Sequence, residues 1–176
     1  MKHLLLLRHA KAVAGGPGMA DRERPLTTRG HRDAALMGAA IAADGPPDII
    51  LCSPARRTRE TLAGVMKHFP AKPEVVIADD LYGPSTATCV GTIAGLGRKA
   101  KRLLVIGHNP TIHATALLLA GSGDKQLCAS LAAKFPTSAL AVLAFKSGPW
   151  SAIHEGSGEL VSFRRPRDLG ASEMDD

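Results

Sequence analysis

The chain opens on four leucines at positions 4–7, bounded by His3 on one side and by Arg8 and His9 on the other. An unbroken apolar run this short predicts a strand buried on both faces, as in parallel sheets covered by helices on each side. The pattern returns in 48–52 (DIILC) and 102–107 (RLLVIG), with a third short strand over 74–78. Helical spacing fills the intervals. Leu36, Met37, Ala40 and Ile41 share one side of a helix over 29–44, capped by Thr28 and stopped by Gly45-Pro46-Pro47. Ser53 as cap and Pro54 in the first turn predict a second helix reaching 68. A weaker helix over 85–97 is diluted by Gly91 and Gly95. Asn109 as cap and Pro110 in the first turn open another helix over 110–120, closed by Gly121. Further strands are expected over 138–145 and 150–163. Strands alternating with helices predict an α/β architecture. No repeat, low-complexity tract or linker interrupts it, so we expect one domain over 1–169 and a charged, loosely held tail over 170–176.

Composition narrows the function classes. At 176 residues, 45% apolar and 22% charged, the chain has an ordinary globular balance and enough length for a core. Its formal net charge of +6 raises the question of nucleic acid. However, one Trp, one Tyr and four Phe offer few stacking platforms, and the basic residues are scattered. An anionic substrate or a solvated basic surface accounts for the charge more simply. Cys52, Cys89 and Cys128 are too few and too dispersed for a disulfide framework, as expected of a reducing cytoplasm. The leucine run is too short for a secretory signal, and no apolar stretch approaches membrane-spanning length. The expectation is a cytoplasmic monomer without nucleic-acid or membrane partners.

Chemistry gathers where strands give way to loops. Arg8 and His9 end the first strand, Ser53 and Arg57 follow the second, and His108 and Asn109 follow the 102–107 strand. Right-handed crossovers bring such junctions to one edge of a parallel sheet, where α/β folds bind ligands. Helix N-termini at two of these junctions add favourable potential for an anion. Two arginines and two histidines on one pocket point to phosphate. Arginines supply bidentate donors at any working pH. One imidazole attacks if its other nitrogen is held, and a second donates to a phosphoryl oxygen as charge develops. This chemistry calls for no metal and no cofactor. The loop over 15–28 (GGPGMADRERPLTT) should lie over the crevice, bringing Asp21 and Arg24.

These stretches also resemble a family. LLLLRHAKA, SPARRTRET and VIGHNPTI are similar, in order and spacing, to the RHG, SxxxR and second-histidine motifs of the histidine phosphatase (phosphoglycerate mutase-like) superfamily. The RHAK and GHNP forms and ADRERPLTTRG most resemble its SixA-type phosphohistidine phosphatases. The likeness implies a three-layer α/β sandwich, a mostly parallel mixed sheet flanked by helices. It also implies His9 as nucleophile and phosphohistidine intermediate, with Arg8, Arg57 and His108 completing the phosphate pocket. The serine-to-arginine spacing selects Arg57 over Arg56.

Ester-cleaving members of that family carry an acidic residue, often Glu, ahead of the second histidine. Here ADDLYGPSTATCV has Asp79 and Asp80 but no acid in the Gly-Pro-Ser-Thr segment that follows Tyr82. Proton donation matters most for a poor leaving group. An alcohol resembles water, with a pKa of roughly 15.7, whereas imidazole leaves as a group of pKa about 6.5. The absence favours phosphohistidine, in proteins, with Asp21 in the loop left as an alternative acid.

Alternatives come from the same residues. The protein is otherwise a phosphatase of small phosphorylated metabolites, or a module that binds phosphate without turnover. Arg57 has surface partners available in Glu60 and Glu23. Lys11 and Arg24 are rim cations or plain surface residues, and Thr137 and Ser138 line the pocket or make a turn. His3, His31, His68, His113 and His154 are not expected to be catalytic. His108 and His113 stand five apart without an intervening carboxylate, unlike HExxH zinc sites. GSGDK at 121–125 lacks the pattern of a nucleotide loop.

Overall fold

The structure is a computed structural model that describes residues 1–171. Of the proposed tail over 170–176, positions 172–176 therefore lie outside the described residues. Seven strands form one sheet: β1 (Lys2–Arg8), β2 (Ile49–Cys52), β3 (Glu74–Ile77), β4 (Arg102–Gly107), β5 (Ala120–Gly123), β6 (Leu140–Phe145) and β7 (Gly158–Arg164). Their order is β3-β2-β4-β1-β6-β7-β5. The half formed by β3, β2, β4 and β1 is parallel, and β6 joins β1 antiparallel. β7 then runs antiparallel to β6, and β5 parallel to β7. The sheet is mixed, as the family resemblance implied.

Helices cover both faces, which explains the leucine run. Alternate side chains of a strand point to opposite faces. Leu4 and Leu6 enter the core under α3 (Thr86–Leu96), α4 (Thr111–Leu119) and α5 (Lys125–Ala133), with Ile93, Ile112 and Phe135. Leu5 and Leu7 enter the opposite core with Met37 and Ile41 of α1 (Thr28–Ala43) and Val65 of α2 (Arg56–Met66). All four leucines are essentially inaccessible. Burying one such side chain is worth roughly 1.5–3 kcal/mol, so the central strand anchors both layers. None of the helices among the described residues is long and apolar enough to cross a membrane.

Several boundaries differ from the sequence reading. Thr27, not Thr28, caps α1, its Oγ1 accepting from the Gly30 amide at 3.0 Å. α2 begins at Arg56 with Ala55 at its N-cap, a side chain with no acceptor, and the Ser53 hydroxyl meets His108 instead. α4 begins at Thr111; Asn109 donates its side-chain amide to the Phe135 carbonyl at 2.8 Å and caps nothing. Gly121 lies in β5. α5 was not foreseen, and is capped by Asp124, whose Oδ1 accepts from the Gln126 and Leu127 amides. The expected strand over 150–163 divides into a 3₁₀ turn at Trp150–Ala152 and then β7. Trp150 is buried, donates from Nε1 to the Ala100 carbonyl, and receives the Lys2 ammonium over its ring at 4.3 Å. Ordered structure also runs past Arg164, which pairs with Asp44 at 2.7 Å and leads to a 3₁₀ turn at Pro166–Leu169.

Candidate active site

The C-terminal ends of β1, β2 and β4 open on one cavity of about 600 Å³. Arg8, His9, Lys11, Asp21, Arg24, Arg57, His108 and Asn109 line it, together with Ala12, Arg29 and Thr137. The sheet supplies His9 and His108 from adjacent parallel strands, Arg8 pairing with Gly107 in register. Their rings lie 5.2 Å apart between centroids. A larger depression of about 740 Å³ lies against α2, lined by residues such as Pro54, Glu60 and Ile77, and contains no imidazole.

His9 is held in one tautomer. Its Nδ1 lies 2.7 Å from the Ala10 carbonyl oxygen, which only accepts, so Nδ1 carries the proton and Nε2 keeps its lone pair. Burial, followed by the charges of Arg57, Arg8 and Arg24, brings its pKa down to about 4 despite the opposing Ala10 bond. His108 is lowered further, to about 3, by burial and then by Arg57. Both imidazoles are therefore neutral at neutral pH.

His108 Nε2 meets Ser53 Oγ at 2.7 Å, and Nδ1 has no hydrogen-bond partner among the described residues. Tyr82 packs edge-on against the same ring. Ser53 is held in turn by its backbone, whose carbonyl accepts from Thr58 Oγ1 at 2.7 Å. Ser53 thus lies behind the cavity wall and supports it. Ser138 is also fully buried and does not line the cavity; its amide donates to the His9 carbonyl. That bond, together with His9 N to the Gly107 carbonyl, fixes the backbone of His9 between β4 and the segment entering β6.

Arg57 is 5% exposed and donates to Asp21 twice, from Nη1 to the backbone carbonyl at 2.7 Å and from Nη2 to Oδ2 at 3.1 Å. Neither Glu60 nor Glu23 takes it; Glu60 pairs with Arg56 at 2.7 Å. Arg8 Nη1 donates to the Phe135 carbonyl. The Nε atoms of Arg8 and Arg57 have no hydrogen-bond partner among the described residues. These two groups and His108 Nδ1 place three buried, unpartnered nitrogens around one cavity.

Asp21 stands at the centre of a network. Tyr82 donates to its Oδ2 at 2.7 Å and Arg24 to its Oδ1 at 2.9 Å, besides the Arg57 bonds. The Tyr82 bond first, then Arg57 and Arg24, lower its pKa to about 2. A carboxylate held ionised in this way has no proton to give near neutrality. Its role as a general acid, which the sequence left open, is therefore not supported by its surroundings. Arg29 is the lining cation the sequence reading missed. It lies at the start of α1, where helix periodicity alone marks a solvated face.

The comparisons with known proteins agree with this geometry. The profile of the histidine phosphatase superfamily, branch 1, matches residues 4–82. An uncharacterized protein of Mycobacterium tuberculosis is 42% identical over 92% of this chain and 100% of its own length. Two solved structures described as candidate phosphohistidine phosphatases SixA superpose closely. The one from Nakamurella multipartitia has TM-score 0.81 and 30% identity over 94% of this chain and 96% of its own. That from Agrobacterium tumefaciens has TM-score 0.79 and 32% identity over 94% and 98%.

The chain belongs to the histidine phosphatase superfamily. It is a SixA-type member with a phosphoglycerate mutase-like fold, and a phosphatase. Within this histidine phosphatase, the RHAK, SPARRTRET and GHNP segments are the three junctions that converge on the cavity. His113 turns away from it, its Nε2 bonded to the Leu131 carbonyl, so His108 and His113 do not meet.

Proposed function

We propose that the protein hydrolyses phosphohistidine, through a covalent phosphohistidine on its own His9. The observation that carries this reading is the neutral, oriented His9 imidazole facing a cavity with five cations and one carboxylate. A lone pair on Nε2 attacks phosphorus while Arg8 and Arg57 neutralise the equatorial oxygens. The phosphorus–nitrogen bond to His9 forms as the bond to the leaving imidazole breaks; that nitrogen takes the electron pair, and the ring leaves as neutral imidazole because its other nitrogen already carries a proton. His108, oriented by Ser53, donates from Nδ1 to a phosphoryl oxygen as charge builds. Water then attacks phosphorus, the His9 bond breaks, and inorganic phosphate departs.

The leaving group decides the substrate class. Asp21 is the carboxylate lining the cavity, and its surroundings keep it ionised. Without a protonated carboxyl at the leaving oxygen, an alkyl phosphate lacks help commonly worth about 10²–10⁴ in rate. Imidazole needs far less. Lys11, Arg24 and Asn109 line the same cavity, which supports a role in holding the phosphorylated partner, which we take to be a histidine-phosphorylated protein.

The test compares a phosphohistidine peptide, a phosphoserine peptide and a sugar phosphate, with alkaline quenching to trap labelled enzyme. The expected result is a preference of about 10²-fold or more for phosphohistidine, and label lost in His9→Ala. Equal rates on the alkyl esters would favour a metabolite phosphatase. Label retained in His9→Ala would assign another nucleophile.

A further inference from the structure

Next to the reaction cavity lies a second one, of about 210 Å³, whose wall includes Arg29 and Thr137, the two residues it shares with the first. The two spaces therefore adjoin at the start of α1. The second carries cations from three separate elements: Arg29 of α1, Lys134 after α5, and Arg165 and Arg167 around the last 3₁₀ turn. Two are compensated locally. Asp168 takes Arg165 through both carboxylate oxygens, and the buried Asp33 stands 3.7 Å from Arg29. Lys134 and Arg167 are exposed, and among the described residues neither side chain has an ion pair or hydrogen bond.

We propose that this cavity is a second anion subsite, which selects protein substrates bearing acidic side chains beside the phosphohistidine. The proposal rests on the phosphohistidine reading above and adds a recognition element to it. A depression beside the cavity that holds His9 is within reach of the flanking residues of a bound polypeptide. The charges at its far end stand on long, solvated stems. Such groups read the sign of a charge over a range of positions, whereas the planar forks of Arg8 and Arg57 read geometry. An aspartate or glutamate fits them better than a small molecule that would need enclosing donors.

The experiment uses three phosphohistidine peptides of equal length flanked by Glu, by Gln or by Lys, with p-nitrophenyl phosphate as a substrate lacking flanks. The unaltered protein should show a KM about fivefold lower for the Glu peptide than for the Gln peptide, at equal kcat. Raising the salt should shrink that difference, because exposed charges are screened over about 8 Å at physiological ionic strength. Lys134→Glu/Arg167→Glu should reverse the order, favouring the Lys peptide, with p-nitrophenyl phosphate turnover unchanged. Lys134→Gln and Arg167→Gln singly should each lower the preference about twofold, so the result does not hang on the double variant alone. The subsite is refuted if the unaltered protein does not distinguish Glu from Gln peptides, or if the double variant keeps the Glu preference. A small bisphosphorylated compound gaining more than the Glu peptide would likewise overturn it. Should no peptide be cleaved while p-nitrophenyl phosphate is, the phosphohistidine reading fails and takes the subsite with it.

Discussion

Ser53 Oγ lies 2.7 Å from Nε2 of His108, and both residues are buried. A hydroxyl both donates and accepts; in the tautomer the proposed reaction uses, it donates to Nε2 and the ring proton stays on Nδ1, which has no hydrogen-bond partner among the described residues. Ser53→Ala removes that constraint and strands a buried imidazole nitrogen. We expect kcat to fall about tenfold with KM little changed, and the protein to lose about 1–3 kcal/mol of stability. Steady-state kinetics and urea unfolding check the two parts. Unchanged kcat would mean that packing against Tyr82 suffices to hold the ring.

Asp21→Asn separates two roles for the carboxylate. A general acid would cost about 10²–10⁴ in rate when replaced. The observed carboxylate instead neutralises Arg57 and repels an incoming anion. The variant should keep activity within about threefold, and inorganic phosphate should inhibit it about three- to fivefold more tightly. Inhibition constants measured at fixed salt decide between them.

Acid should destabilise the fold through its two site histidines. Their folded pKa values, about 4 for His9 and about 3 for His108, lie below the unfolded value near 6.5. Between these limits the unfolded chain binds more protons, so stability rises with pH across that window and levels off above 6.5. His9 alone contributes a loss on the order of 3 kcal/mol as pH falls through it. Urea midpoints of the native protein and of His9→Gln, followed from pH 3.5 to 7, should converge at the acid end. Histidine ¹⁵N shifts should show the Nδ1–H form of His9 persisting to near pH 4.

Gly30 is a contact requirement. A Cβ there would sit 2.1 Å from the Lys11 carbonyl oxygen, which also accepts from the Thr27 amide at the start of α1. Gly30→Ala must push the segment after β1 away from the helix. A loss of about 1–3 kcal/mol is expected in urea unfolding. KM should rise as well, because Lys11 lines the cavity.

Much of the frame was readable because strong local signals coincided with their tertiary use. The leucine run, DIILC and RLLVIG mark strands buried on two faces, and β4 falls on the residues expected of it. Arg8, His9, Arg57 and His108 were accessible to reasoning because each stands at a strand's end or one turn beyond it. What escaped depended on distant partners. Ser53 looks like a cap until His108, 55 residues later, claims its hydroxyl. Asn109 likewise serves the Phe135 carbonyl. Ser138 sits behind the cavity since its amide is taken up by His9. α5 had its signal in Asp124 and in Leu127 and Leu131 four apart, but it is a short, mostly exposed helix with one buried residue. The cavity lined by Arg29, Lys134 and Arg167 draws on three elements distant in sequence, and no local pattern encodes it.

β1 is clasped along its length, by β4 on one side and β6 on the other, and the backbone of His9 continues the same clasp. The proposed nucleophile therefore belongs to the last part of the molecule to come apart. Amide hydrogens of Leu5, Leu6 and His9 should exchange only through global unfolding, while those of β3 and β5 at the two margins exchange through local opening. On gentle heating, turnover should outlast the signals of the margins and then vanish together with the fold.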